Sequence, residues 1–326
     1  MTLQTYNIPQ TDLQVTRLAY GTWHIGGEWD HTPPSEAIKE RAVRLIQAAV
    51  DLGINHIDLA DIYTKGKSDA VVGYALQQTP GLRDKLVLQA KCGIILSDEP
   101  KPGMPGRYDF SYDHIVSAVE GTLQRLGTDR VEILALHRPD PLMQPEEVAR
   151  AFSHLHDSGK VRYFGVSNHN AAQITLLQRY VDQPIVVNQV ELNLLHHHFI
   201  SDGILANMTD GPYAAVLGTL DYCRLHGIMI QAWSPVAGGQ LFNPPENAPK
   251  HMQAVADKIK SIAADHNTTP EAIAVAWLLR HAAPIQPIIG TLNADRLAQT
   301  VPADAVELTR IEWYQLLEAA RGAGVP

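Results

Sequence analysis

Short apolar segments alternate with amphipathic segments along almost the whole chain, and this alternation limits the possible folds more than any other feature. Strands that alternate with helices favour a parallel sheet. Eight such units within roughly 250–400 residues match the size of a TIM barrel. The segments predicted to be the eight strands cover residues 17–20, 54–58, 85–90, 131–136, 161–166, 185–190, 229–233 and 287–289.

The helix predicted over residues 35–52 illustrates the pattern, because Ser35 suits an N-cap and Gly53 suits a helix stop. A doubly wound open sheet is the competing fold, and that fold usually carries a Gly-x-Gly-x-x-Gly turn after its first strand. The sequence has no such turn there. We therefore predict an α/β fold, a (β/α)8 TIM barrel forming one domain over residues 1–326. A β-hairpin within residues 4–17 should precede the barrel, and extra helices should follow it.

The composition excludes several classes of protein. The 326 residues are 45% hydrophobic and 19% charged, which suits a globular protein with a large core. The net charge of −9 argues against a nucleic-acid partner, which would need a basic face. Residues 1–10 do not resemble a signal peptide, and no apolar run approaches about 18 residues. We expect a cytoplasmic protein without a membrane partner, either a monomer or a weak homo-oligomer.

Polar side chains follow most of the predicted strands at the point where each strand ends. TIM-barrel enzymes place their active sites at this end of the strands. Polar residues scattered only by the demands of the surface would occur as often at the other ends. We therefore predict a site built from these strand-end residues, which are Asp58, Lys91, His137, Asn168, Gln189 and Ser234.

The residue types near the second and third strands suggest acid catalysis. The phenol of Tyr63 has an ordinary pKa of about 10. A nearby ammonium stabilises phenolate, so Lys91 should lower the pKa of Tyr63, with Asp58 holding Lys91 in place. His137 could donate a hydrogen bond to a substrate oxygen. Such an acid suits a carbonyl that is gaining a hydride, and a nicotinamide cofactor must then supply the hydride.

Five motifs occur together in one order and resemble the aldo/keto reductase superfamily over nearly the whole chain. The form of the fourth-strand motif, His137-Arg-Pro-Asp, is most similar to a bacterial subgroup of oxidoreductases. The motifs are Asp58-Leu-Ala-Asp-Ile-Tyr63, Lys91, His137, Gly165-Val-Ser-Asn168, and Ile288-Ile-Gly-Thr291 followed by Arg296.

This resemblance implies an NADP(H)-dependent reductase of a small carbonyl substrate. Tyr63 would be the general acid, Asp58 and Lys91 would tune it, and His137 would orient the carbonyl. Asn168 and Gln189 would bind the nicotinamide carboxamide. The implied cofactor-binding residues are Gly21, Thr22, Trp23, Asp58, Ser167, Asn168, Gln189, Trp233, Ser234, Pro235, Gly238, Gly239, Gly290, Thr291, Arg296, Gln299 and Thr300. Within this set Trp233 would stack on the nicotinamide ring, and Thr291 with Arg296 would hold the adenosine 2′-phosphate.

Two departures from the family pattern bear on cofactor choice. Gly290 stands where many members have lysine, and Gln299-Thr300 stands where Glu-Asn is common. They weaken the expected preference for NADP over NAD.

The sequence also allows three other interpretations. A nucleotide-binding regulatory subunit with little turnover is the main alternative, although pure binding would not need all four predicted catalytic residues. A lyase or aldolase would use Lys91 as a Schiff base. The run His196-His197-His198 suggests a metal site, but three consecutive side chains cannot all face one ion in regular structure, so we expect no metal.

Overall fold

The computed structural model describes residues 3–204 and 218–326. Within them the strands, in chain order, are β1 (Thr5–Asn7), β2 (Gln14–Thr16), β3 (Ala19–Gly21), β4 (His56–Asp58), β5 (Val87–Cys92), β6 (Ile94–Ile95), β7 (Arg107–Tyr108), β8 (Val131–Leu136), β9 (Val161–Ser167), β10 (Ile185–Glu191), β11 (Met229–Trp233) and β12 (Ile285–Ile289). The helices are α1 (Glu36–Asp51), α2 (Lys67–Gln78), α3 (Tyr112–Leu126), α4 (Pro145–Asp157), α5 (Ala171–Gln178), α6 (His198–Ser201), α7 (Thr219–Leu225), α8 (Lys250–Asp265), α9 (Pro270–Leu279), α10 (Ala294–Thr300) and α11 (Arg310–Arg321).

Eight of these strands close into the predicted parallel barrel, in the order β3-β4-β5-β8-β9-β10-β11-β12. Pairing between β12 and β3 completes the ring. The register places Gly21 opposite Asp58, and Asp58 opposite Gln89. Gln189 lies opposite Ser167 on the far side of the barrel. Because all eight strands run in one direction, the side chains at their C-terminal ends meet at one rim.

The predicted N-terminal hairpin is present and packs at the opposite end of the barrel. Its strands β1 and β2 pair antiparallel, with Thr5 opposite Thr16. The hairpin shares an apolar cluster with residues near the starts of the barrel strands. The buried members of this cluster are Ile8, Leu13, Val15, Ile133, Val186, Val187 and Met229. This packing closes one end of the barrel, so ligands must enter from the other.

Helix α1 begins and ends as the sequence indicates. The Ser35 side chain accepts a hydrogen bond from the backbone N–H of Ile38 at the start of α1, and Gly53 follows the helix with a φ of +90°. The extra C-terminal helix α11 packs on α9 through a stacked pair, Trp277 and Trp313, with ring centroids 5.4 Å apart. Each indole N–H donates to the other residue's carbonyl oxygen, at 3.3 and 3.0 Å. Trp277 is therefore fully buried and Trp313 partly buried, and each keeps a hydrogen bond for its indole N–H.

Six of the eight predicted barrel strands differ from the structure by one or two residues at an end, and the first and the last show the physical reason. The first barrel strand covers Ala19–Gly21 instead of residues 17–20, because Arg17 points outward to an ion pair with Asp304 at 3.2 Å. The last barrel strand starts earlier, at Ile285, and includes the buried polar residue Gln286, which interrupts the apolar pattern.

The long loops also hold more structure than the sequence suggested. The segment 93–110 contains the antiparallel pair β6 and β7. The segment predicted as irregular, 196–212, contains α6, and its remainder from 205 lies outside the described residues. The predicted helix 213–226 is described only from 218 onward, where α7 forms. None of the helices in the described part of the chain is long and apolar enough to cross a bilayer.

Candidate active site

A cavity of about 360 Å³ opens at the C-terminal rim of the barrel. Thirteen of the residues predicted from the sequence line it, and Lys91 lies buried at its floor beside Asp58. The predicted lining residues are Gly21, Trp23, Asp58, Tyr63, His137, Ser167, Asn168, Gln189, Trp233, Ser234, Pro235, Gly238 and Gly290. The cavity also has lining residues to which the sequence assigned no role: His24, Arg138, Val236 and Ile288.

Asp58 and Lys91 form a buried ion pair at the cavity floor. Lys91 Nζ donates to Asp58 Oδ1 at 2.5 Å, and the side chains of Lys91 and Asp58 are 0% and 4% exposed. Burial lowers the pKa of Lys91, while the carboxylate of Asp58 opposes that shift. Two charges removed from water in this way are stable only when they are paired and further hydrogen-bonded. The structure therefore brings together the two residues predicted to act on the phenol.

Tyr63 lies directly above this pair. Lys91 Nζ is 4.9 Å from the centroid of the Tyr63 ring, and the rings of Trp23 and His137 are 5.1 and 5.8 Å away. The pKa of Tyr63 is raised well above its ordinary value, first by burial and then by the Asp58 carboxylate. The expectation that Lys91 lowers the pKa of Tyr63 is therefore wrong for the protein without ligands. Burial and the Asp58 carboxylate determine the direction of the shift, the positive charge that opposes them is that of Arg138, and Tyr63 is a protonated phenol at neutral pH.

A strained turn places Tyr63 at the cavity. Thr64 and Lys65 follow it with φ angles of +47° and +58°, a region that costs non-glycine residues roughly 1–2 kcal/mol each. The Thr64 hydroxyl is buried and lies 3.0 Å from Ser68 Oγ, which fixes the turn against α2. A Cβ at Gly26 would approach Thr64 Oγ1 to 2.2 Å. Glycine at 26 therefore lets the neighbouring loop press onto the turn that carries Tyr63.

His137 follows β8 and faces the same cavity. Burial lowers the pKa of His137 well below its ordinary value, and the positive charges of Lys91 and Arg138 add to the shift. Its Nδ1 atom is buried and has no hydrogen-bond partner among the described residues. The imidazole is therefore neutral at pH 7, and in this form one ring nitrogen donates a hydrogen bond and the other can accept one.

Below Asp58, buried glutamines occupy interior positions that TIM barrels usually fill with branched apolar residues. Gln89 and Gln231 exchange two hydrogen bonds, at 2.7 and 2.9 Å. Gln231 Oε1 also accepts from Gln189 Nε2 at 3.3 Å, and Gln231 Nε2 donates to Gln286 Oε1 at 3.1 Å. Gln189 Nε2 donates to Asp58 Oδ1 at 2.8 Å. This amide chain directs N–H donors at the buried carboxylate.

The residues predicted to bind a carboxamide lie on the far wall of the cavity. Asn168 has a φ of +61° and donates from Nδ2 to Ser167 Oγ at 2.8 Å and to the carbonyl of His137 at 3.3 Å. Its Oδ1 accepts from the indole of Trp233 at 3.1 Å. The amide nitrogen of Gln189 is engaged below the cavity, so its oxygen is the atom left to face a ligand.

A second groove of about 490 Å³ continues from the first cavity, and the two share Val236, Gly238 and Gly290. The predicted residues Gly239, Thr291, Arg296 and Thr300 line it. The groove also holds Glu271, which the sequence did not single out because its position at the start of α9 resembles an ordinary first-turn acid.

Two predicted cofactor-binding residues line neither cavity. Thr22 is fully buried and donates its hydroxyl to the carbonyl oxygen of Asp58 at 2.7 Å. The carbonyl of Gln299 accepts from the hydroxyl of Thr269. Among the residues that the structure describes, no group of three or more His, Cys, Asp and Glu side chains could hold a metal ion.

Comparison with known proteins identifies the family. Residues 17–321 match the aldo/keto reductase family. The uncharacterized oxidoreductase YcsN of Bacillus subtilis is 36% identical over 317 residues, which are 97% of either chain. A 6-dehydroglucose reductase of Agrobacterium fabrum is 35% identical, over 96% of this chain and 97% of the relative. A glycerol dehydrogenase from Gluconobacter oxydans has a TM-score of 0.80 at 27% identity, over 99% of this chain and 97% of that one. The chain described here therefore belongs to the aldo/keto reductase family of oxidoreductases.

Proposed function

We propose that the protein is an NADPH-dependent reductase that converts an aldehyde or a ketone to an alcohol, with Tyr63 as the general acid. The observation that carries this proposal is the stacking of a protonated phenol over a buried Asp58–Lys91 pair, in one cavity with neutral His137. Two relatives, 35% and 34% identical, are named 6-dehydroglucose reductases, which supports reduction of a carbonyl group.

A dinucleotide fits the residues present. The cavity and the groove join at Gly238 and Gly290, where an added Cβ would meet only one atom within 4 Å, so the backbone leaves room for an elongated ligand. The Gln189 oxygen would accept from the nicotinamide carboxamide, and Arg296 would bind the 2′-phosphate. When bound, NADPH would supply the hydride that no side chain can provide.

The remaining chemistry belongs to side chains of this chain. Tyr63 Oη donates its proton to the carbonyl oxygen as that oxygen gains negative charge. The high pKa of Tyr63 keeps the proton in place until then. The phenolate that remains is stabilised by the ammonium of Lys91, which Asp58 holds beneath the ring. His137 offers a hydrogen bond that orients the carbonyl oxygen.

The alternative functions are less consistent with this site. A regulatory subunit has no support among the relatives, whose names describe reductases and oxidoreductases. A Schiff-base lyase needs a neutral, accessible lysine. The Lys91 side chain is 0% exposed and ion-paired, which argues against that role.

Titration of tryptophan fluorescence with NADPH and with NADH tests the cofactor, since Trp23 and Trp233 line the cavity. A panel of aldehydes and ketones then tests turnover by oxidation of NADPH. We expect saturable binding that is tighter for NADPH, and reduction of at least one class of carbonyl. Binding of neither nucleotide would contradict the proposal.

A further inference from the structure

We propose that Arg138 selects the substrate by binding a second oxygen-bearing group, a carboxylate or a hydroxyl, close to the reacting carbonyl. The inference rests on the proposed carbonyl reduction and deepens it by naming a substrate class. It assigns a role to a residue that the sequence motifs left without one.

Arg138 is placed by the same strand end that places His137. The backbone N–H of His137 donates to the carbonyl of Cys92 at 2.9 Å, so the main chain at 137–138 stays fixed to the neighbouring strand β5. Arg138 is half-buried and lines the cavity together with Tyr63 and His137. Its guanidinium therefore reaches the space in which a substrate meets the acid.

Within residues 3–204 and 218–326, the Arg138 guanidinium has neither a hydrogen-bond acceptor nor an ion-pair partner. Its contact is with the ring of Trp233, whose centroid is 5.8 Å from the guanidinium carbon. Other partly buried arginines behave differently: Arg83 pairs with Glu132 at 2.8 Å, and Arg125 pairs with Asp69 at 2.9 Å. A guanidinium carries five N–H donors in a planar fork that matches carboxylate geometry. The geometry leaves these donors to a ligand.

The charges around the cavity point to the same conclusion. Asp58 and Lys91 offset each other at 2.5 Å, and His137 is neutral because burial, Lys91 and Arg138 all lower its pKa. Arg138 is thus a positive charge at the cavity wall, with no carboxylate oxygen of the described residues within 4 Å of its guanidinium. An oxygen acceptor on the substrate gains most from such a charge in a site that excludes water.

The proposed cofactor sites leave Arg138 for the substrate. The groove proposed for the adenosine phosphate contains its own guanidinium, that of Arg296, and does not contain Arg138. The carboxamide is assigned to Asn168 and Gln189, whose side-chain hydrogen bonds go to other residues and not to Arg138. The substrate class that fits is therefore a carbonyl compound with an additional carboxylate or hydroxyl group, in preference to a simple alkyl aldehyde.

The test measures how well the protein, with NADPH, reduces three aldehydes. Succinic semialdehyde carries a carboxylate, glyceraldehyde carries hydroxyl groups, and butanal carries neither. kcat/KM is measured for each with the wild type, Arg138→Met and Arg138→Lys. The Lys67→Met variant is the control, because it removes another rim cation, one that pairs with Asp30 at 2.6 Å and does not line the cavity. The preference of each variant is the ratio of kcat/KM for an oxygenated aldehyde to kcat/KM for butanal. Comparing this ratio between variants cancels differences in aldehyde hydration.

We expect the wild type to favour one or both oxygenated aldehydes over butanal, and Arg138→Met to reduce that preference roughly 10–100-fold. The loss should be mainly in KM of the oxygenated substrate, and a loss confined to one of the two identifies carboxylate or hydroxyl as the group bound. Arg138→Lys keeps the charge and lacks the planar fork, so it should restore only part of the preference. Lys67→Met should leave the ratios unchanged.

Two results would overturn the inference: a wild type with no preference over butanal, or an Arg138→Met variant that loses activity equally on all three aldehydes. NADPH affinity, measured by fluorescence, separates this failure from failure of the proposed function. If the wild type binds NADPH and reduces butanal, and the ratios of kcat/KM do not differ between wild type and Arg138→Met, only the role of Arg138 is wrong. If it neither binds NADPH nor reduces any aldehyde, both proposals are wrong.

Discussion

Replacing Lys91 with methionine should destabilise the protein strongly, because the change leaves the Asp58 carboxylate buried without its counter-ion. Removing one partner of a buried pair typically costs about 3–5 kcal/mol of unfolding free energy. Asp58 would keep Gln189 as a donor at 2.8 Å and Gln89 at 3.5 Å, which favours the lower end of that range. Methionine has nearly the volume of lysine, so packing adds little to the loss.

Thermal unfolding monitored by circular dichroism measures the effect. A loss of about 3 kcal/mol corresponds to a fall in Tm of roughly 4–5 °C for a chain of this size. The matched control is the double variant Lys91→Met with Asp58→Asn, which removes both charges and should recover more than half of the loss. Equal stabilities of the single and double variants would refute this account of the ion pair.

Three further predictions follow from the surroundings of the site. Gln231→Met should lower kcat about tenfold without changing the affinity for adenosine 2′,5′-bisphosphate, because it releases the amides of Gln89 and Gln189 that donate to Asp58. The control Met229→Leu, on the same strand, should change neither kcat nor this affinity. Arg296→Ala should weaken NADPH binding about tenfold and leave the affinity for NADH unchanged. Glu271→Gln should raise the preference for NADPH, because it removes a carboxylate from the same groove. Equal losses of affinity for both nucleotides in Arg296→Ala would make Arg296 a structural residue. Burial and the nearby Asp69 raise the pKa of Asp61 to about 7, so the stability that its protonated form contributes is lost as pH rises from about 4 to 7. Asp61→Asn should therefore flatten the dependence of Tm on pH over this range and unfold later than wild type at pH 8.

The barrel and the rim of its site followed from local patterns in the sequence. Apolar strands, capped helices such as the one after Ser35, and polar residues at strand ends are all short-range signals. The pairing of Lys91 with Asp58 could be predicted, because neighbouring parallel strands bring their C-terminal ends together. The family motifs then supplied the roles, which the geometry alone would have left open.

Other features depended on long-range contacts that no local pattern contains. The pKa of Tyr63 depends on how deeply the ring is buried, and the sequence argument counted only the charge of Lys91. Gln89 and Gln231 hydrogen-bond across 142 positions of sequence, so neither looked unusual alone. Arg138 was visible only as part of a motif, and the structure was needed to show that it lines the cavity without a partner among the described residues.

The role of Tyr63 as the acid is the central claim, and the Tyr63→Phe variant tests it most directly. The substitution removes one hydroxyl and little volume, so the fold and the NADPH site should persist. Single-turnover reduction of the best carbonyl substrate should fall at least about 100-fold, since a positioned acid typically contributes about 10²–10⁴-fold. NADPH affinity should stay within about threefold of wild type. A folded Tyr63→Phe enzyme that binds NADPH and still reduces carbonyls within about threefold of the wild-type rate would contradict the claim, and the acid would then have to be sought at His137.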